Sequence, residues 1–228
     1  MDDFIAEIKK AYLEEITILL APKMVVFTIF FMLCIVSWSA SEGLWGNLLA
    51  YKIVSFFDFS TGPISQVLVR DFLVGVIAAY LTHYSYQMVK DKWFNFVGHR
   101  INLEARINAR IQESSHLRSE NEAINLFIVK GVQKDIEDGE KKLYRYHSVG
   151  AFSMSILIAS ISAFIFSFSL GYSNGAWVFH RLDLLASFAS LVIILFVQER
   201  ATIYFLKRMM PLIVVESTLA GKGYNLIQ

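Results

Sequence analysis

The sequence predicts an all-α membrane protein: four transmembrane helices, with a long cytoplasmic antiparallel helical hairpin between the second and the third. Three observations carry this. The chain of 228 residues is 55% hydrophobic and only 18% charged, against about 25% charged in ordinary soluble domains. Four long windows contain no Asp, Glu, Lys or Arg: 24–41, 72–89, 146–180 and 184–198. The charge missing from them is concentrated elsewhere, with 11 Lys+Arg and 9 Asp+Glu in residues 87–147. The same composition excludes disordered and collagen-like chains, since Gly (12) and Pro (3) are scarce. A disulfide scaffold is excluded by the single cysteine, Cys34.

Residues 1–22 are expected to form an amphipathic N-terminal helix. Ile5, Ile8, Tyr12, Ile16 and Leu19 recur three or four apart. Five acids and two lysines in residues 2–20 do not match the basic n-region of a secretory signal. The apolar stripe fits either the inner membrane surface or the cytoplasmic loop. Pro22 is expected to separate this helix from the first span.

Residues 23–90 hold the first span, an outer loop and the second span. A spanning helix needs about 20 mostly apolar residues, with about 17 as the lower limit; both windows satisfy this. The loop over 41–65 is rich in apolar residues but carries Lys52 and Asp58. It reads as an interfacial or re-entrant helix ending at Ser60-Thr61-Gly62-Pro63.

Residues 91–145 form the hairpin. Leu103, Ile107 and Ile111 make one apolar stripe; Ile124, Ile128, Val132 and Ile136 make another. Ser119 and Glu122 have the spacing of a capping box. Gly131 and Gly139 weaken the second arm and predict a bend near its end. Residues 146–204 hold the third and fourth spans, joined by a turn at Ser173-Asn174-Gly175. Residues 205–228 form a cytoplasmic segment bent at Pro211, with apolar Met209–Val215 against the membrane or the hairpin.

Orientation follows from cation counts. With both termini inside, inner segments hold 18 Lys+Arg and outer segments hold Lys52, Arg70 and Arg181. The expected location is an integral membrane, of the bacterial inner-membrane type, with cytoplasmic termini. The lipid bilayer is therefore the first partner.

Several residues are candidates for a site. Ser148, Ser155, Ser162 and Ser169 recur every seven residues, as do Ser153, Ser160 and Ser167. At 100° per residue the two series lie on nearly opposite sides of the third span. Small hydroxyl residues allow close helix packing, or one series could line a polar path. Gly75 and Ala79 are a small-xxx-small packing pair. Arg70-Asp71 and Arg181-Leu182-Asp183 open the second and fourth spans; they read as helix-dipole and headgroup charges or as an outer ring of charge. His83 is ionisable and intramembrane, hence a functional candidate. P-loop, HExxH, GxSxG and CxxC signatures are all missing, so no enzyme activity, cofactor or metal is expected. Interleaved acids and bases in the hairpin give no reason to expect direct nucleic-acid binding.

Sixty residues between two spans, with two apolar stripes, imply a buried contact: the other arm, a second copy, or a cytoplasmic protein partner. The expected function is a non-enzymatic effector or channel-like protein acting as a homo-oligomer, its hairpin docking or sensing the partner. The organisation resembles, in topology, small membrane effectors of bacterial phage-defence modules. Two other functions use the same features: a membrane anchor recruiting a soluble partner, and an immunity protein against a pore-forming toxin.

Overall fold

The computed structural model describes residues 2–14, 20–38, 42–52, 55, 58, 60, 62–116, 118–174 and 180–220. All secondary structure among them is helical. In chain order the main elements are α1 (Asp2–Glu14), α2 (Leu20–Ser37), α3 (Gly43–Ala50), a 3-10 turn (Pro63–Gln66), α4 (Val69–Arg100), α5 (Leu103–Ser115), α6 (Glu122–Asn174), α7 (Arg181–Tyr204), a π turn (Phe205–Met209) and α8 (Met210–Leu219). The chain divides into two compact units. One comprises Met1–Ile18, Met88–Ser148 and Val197–Gln228; the other comprises Leu19–Gln87 and Val149–Phe196.

Two stretches are long and apolar enough to cross a membrane, Glu122–Ser169 and Arg181–Leu219. Lys23–Ser37 is apolar but shorter. Helix α4 has the length, at 32 residues, but Thr82, His83, Ser85 and Gln87 dilute its apolar run. Length and composition thus single out two of the four expected spans.

The first unit has a core built from α1, α4, α5, α6, α7, the π turn and α8. Ile8 and Tyr12 of α1 pack with Phe94, Leu103, Ile107, Ile111, Ile136, Leu143, Phe205, Met209, Met210 and Val214. Ile8 and Tyr12 of the α1 stripe are therefore buried in protein. Ile16 and Leu19 of that stripe lie outside the described residues. The first hairpin arm is not continuous. It breaks between Arg100 and Leu103, where Asn102 adopts a left-handed conformation (φ 50°). Asn is the non-glycine residue best suited to that region because its short side chain relieves the steric penalty.

The second arm runs unbroken through Gly131 and Gly139 as part of α6. Gly139 has a packing reason: a Cβ there would lie 3.1 Å from Met209 Cγ. Ser119 does not close a capping box with Glu122. Asn121 Oδ1 accepts the Ala123 N–H at 3.0 Å, and Ser119 Oγ accepts the Asn121 N–H. The Asn125 amide accepts the Ser119 N–H and donates to the Ser119 carbonyl. The polar run of this turn offered several acceptors, and the one adjacent to the helix start is the one used.

Pro211 lies within α8. It occupies the first turn of α8, where its missing N–H costs little. The preceding π turn widens the helix before it resumes. Val214 and Met210 bury against α5, and Ser114 Oγ meets Thr218 Oγ1 at 3.2 Å. Of the two places open to Met209–Val215, the hairpin is the one occupied.

In the second unit, α2 and α4 approach closely at Gly75. A Cβ there would lie 3.1 Å from the Thr28 carbonyl oxygen and 3.2 Å from Met32 Cγ; Ala79, one turn on, is fully buried. Pro22 lies inside the first turn of α2, not between two helices. Part of the loop expected to be interfacial, residues 53, 54, 56, 57, 59 and 61, lies outside the described residues. So do Gly175 of the second turn and the chain beyond 220.

Candidate functional site

The most concentrated polar chemistry in the first unit surrounds Tyr12. This side chain comes from the amphipathic face of α1 and is fully buried. Its ring stacks on Phe94 at 4.8 Å and meets His147 and Phe205 edge-on at 5.2 and 5.1 Å. Lys90 Nζ lies 4.6 Å from the same ring's centroid, and Lys90 itself is fully buried. The Tyr12 hydroxyl donates to Gln198 Oε1 at 3.4 Å and sits 3.2 Å from Thr202 Oγ1. Outside this cluster Lys9 pairs with Asp91 at 2.7 Å and ties α1 to α4.

The arrangement has a clear physical logic. Taking an ammonium group out of water is expensive unless something replaces its hydration. The electron-rich face of Tyr12 supplies part of that, worth about 2 kcal/mol when desolvated. The phenol edge and hydroxyl reach polar partners on α7. One residue of α1 thus bridges a cation on α4 and two polar side chains on α7. Such a joint ties the N-terminal helix to α4 and α7 at one position. Periodicity identifies Tyr12 only as part of an apolar stripe. Lys90 and His147 stand merely at the edges of apolar windows, because their partners are far away in sequence.

The hairpin residues divide. Leu103, Ile107, Ile111 and Ile136 are buried in the unit's own core, with Val132 packed against it and Ile128 half-buried. Ile124 is exposed, and so are Leu126 (62%) and Phe127 (80%) beside it. The exposed apolar surface of the hairpin is therefore at the start of α6 and at Phe96 of α4, not along both stripes. On the outer face of α6, Lys141 holds the Asp138 carboxyl below its usual range through their hydrogen bond, and Asp138 raises Lys141 in turn. Partial burial pushes Glu140 up, helped by Glu137 and Glu216.

In the second unit the charged pairs act as caps. Asp71 is buried, and its carboxylate accepts the Leu68 N–H at 2.9 Å and touches Arg70 Nε at 3.4 Å. Asp183 is 3% exposed and accepts the N–H groups of Leu44 (3.2 Å) and Trp45 (2.9 Å) at the start of α3. Gly43 makes this approach possible: its φ is +75°, and a Cβ would lie 2.6 Å from Asp183 Oδ2. Arg70 and Arg181 are exposed. The Asp183 contact spans 139 residues and has no local signal in the sequence.

Neither serine series keeps one environment. Ser155 is fully buried, Ser148 is half-buried, and Ser162 and Ser169 are exposed. Ser153 and Ser160 are buried, and Ser167 is half-buried. The hydroxyls of Ser148, Ser155, Ser160 and Ser169 donate to carbonyls three or four residues back on α6. Ser160 Oγ also accepts the Trp45 indole N–H at 2.7 Å, which pins α3 to α6 within this unit. His83 is half-buried on α4. Cys34 is a buried free thiol. Among the described residues no cluster of three or more His, Cys, Asp and Glu is arranged to hold a metal. Comparison with known protein families, curated proteins and solved structures finds no match.

Proposed function

We propose that the protein is a non-enzymatic effector of the cell membrane that works as a homo-oligomer, with α2, α4, α6 and α7 crossing the bilayer. The first unit is its cytoplasmic docking module. What supports the four crossings is the distribution of exposed apolar side chains. Val25, Val26 and Ile29 on α2, Leu73 and Ile77 on α4, Ile165 and Phe166 on α6, and Leu185 and Phe188 on α7 are all exposed. Soluble monomers rarely expose contiguous apolar patches beyond a few hundred Å², and here four helices each expose two or more large apolar side chains. Helix α5 of the other unit exposes no large apolar residue.

The contact to a second copy is assigned to the start of α6. Ile124 and Phe127, three residues apart, form its centre, Leu126 lies to one side of Phe127, and Gly131 leaves open space one turn on from Phe127. Glu120 and Glu122 precede this patch; Lys130 and Lys134 follow it. A twofold antiparallel pairing sets the acids of one copy against the lysines of the other. Phe127→Asp is expected to give a monomer by native mass spectrometry while unit folding is retained. In bacteria, induction of the wild type is expected to collapse the membrane potential, and Phe127→Asp at equal membrane level to leave it intact.

A second reading, a membrane anchor that conducts nothing, is favoured by one observation. Asp71 and Asp183 spend their carboxylates on backbone N–H groups, leaving no free outer ring of acid among these residues. An unchanged potential with an intact oligomer would select that reading.

A further inference from the structure

The first unit contains a cavity of about 520 Å³ between α5 and the junction of the π turn with α8. This lies within the range of about 300–1,000 Å³ usual for small-molecule sites. Its apolar lining comes from Ala109, Leu206, Met210 and Pro211. Its charged lining comprises three cations, Arg106, Arg110 and Lys207, and one acid, Glu113.

That acid is already engaged: Arg110 Nη1 pairs with Glu113 Oε2. No ion pair to Arg106 or Lys207 occurs among the described residues. Two cations therefore face one concave, partly apolar site without a countercharge. Arg106 and Arg110 are one turn apart on α5, so their forks project together. Lys207 sits within the π turn Phe205–Met209, a rare distortion that is frequent at functional sites.

We infer that this cavity binds a phosphate ester with an apolar or flat body, the phosphate held by Arg106 and Lys207 and the body resting on Leu206, Met210 and Pro211. Guanidinium forks match phosphate oxygens in two contacts, while lysine supplies a point charge. A free phosphorylated metabolite and the headgroup of an anionic lipid share this chemistry. The inference does not depend on the four crossings or on the second-copy contact.

The test uses the full-length protein in neutral detergent, titrated with phenyl phosphate, inorganic phosphate and phenol by calorimetry. A parallel arm measures retention of phosphatidylglycerol or phosphatidylcholine by native mass spectrometry. Arg106→Gln/Lys207→Gln alters two exposed side chains outside the core, and Lys92→Gln, an exposed cation that does not line the cavity, serves as the control. Saturable binding of phenyl phosphate, weaker binding of inorganic phosphate and none of phenol are expected. The double variant is expected to lose about tenfold or more in affinity, with Lys92→Gln unchanged. Selective phosphatidylglycerol retention that the double variant abolishes, with no phenyl phosphate binding, assigns the site to a lipid headgroup. Absence of both, or binding that survives the double substitution, overturns the inference.

Discussion

Tyr12 makes four kinds of contact from one position: a stack, two ring edges, a cation over its face, and a hydroxyl between Gln198 and Thr202. These can be separated by substitution. Tyr12→Phe keeps the rings and the cation and removes the hydroxyl, and is expected to cost about 1 kcal/mol. Tyr12→Ala also removes the ring that replaces water around Lys90, and is expected to cost about 3–5 kcal/mol. Thermal unfolding in detergent reads both, and protease cleavage within residues 1–22 should accelerate only in the alanine variant. Asp183 offers a parallel case. Asp183→Asn keeps an acceptor for α3, whereas Asp183→Ala loses the cap and is expected to destabilise by about 1–2 kcal/mol. If Asp183 served instead as a free charge, the two variants would behave alike.

At the scale of elements, glycine shows how the same residue type does different work. A methyl group added at Gly131 would meet no atom within 4 Å, so Gly131→Ala is expected to stabilise the first unit by about 0.5–1 kcal/mol through helix propensity alone. Gly75→Val would press on the Thr28 carbonyl and Met32 and is expected to destabilise the second unit by about 1–3 kcal/mol. Unfolding midpoints of the two variants should therefore move in opposite directions. The helical periods of Leu103–Ile111 and of Ile8–Tyr12 are legible in the sequence because an apolar stripe must be buried somewhere. What buries each stripe is not legible. Periodicity gives a face, and the partner of that face is set by tertiary packing. The break at Asn102 is hidden for a related reason: Asn within a helical pattern is common, and its left-handed conformation, with Leu103 folded back beside Gly98, has no local signal in the sequence. The cap falls at Asn121 rather than Ser119, and spacing alone does not separate them because both lie in one polar run two residues apart.

At the scale of the whole molecule, charge and apolar surface are segregated. The charged stretch 87–147 falls almost wholly in the first unit, and the apolar windows fall largely in the second. The clearing of charge makes this division visible in the sequence. It does not show that α1 belongs with the charged unit, since that depends on Tyr12 meeting residues as distant as Thr202, 190 positions away. The proposed function turns on α2 and α4 crossing the bilayer as well as α6 and α7. Cysteine labelling in intact cells reads this topology. In a Cys34→Ala background, single cysteines replace Gln66, between α3 and α4, and Gln112, on α5. Four crossings place Gln66→Cys outside, labelled by an impermeant maleimide in intact cells, and Gln112→Cys inside, labelled only after permeabilisation. If only α6 and α7 cross, the two positions share one side and label alike, and the four-crossing topology would be overturned.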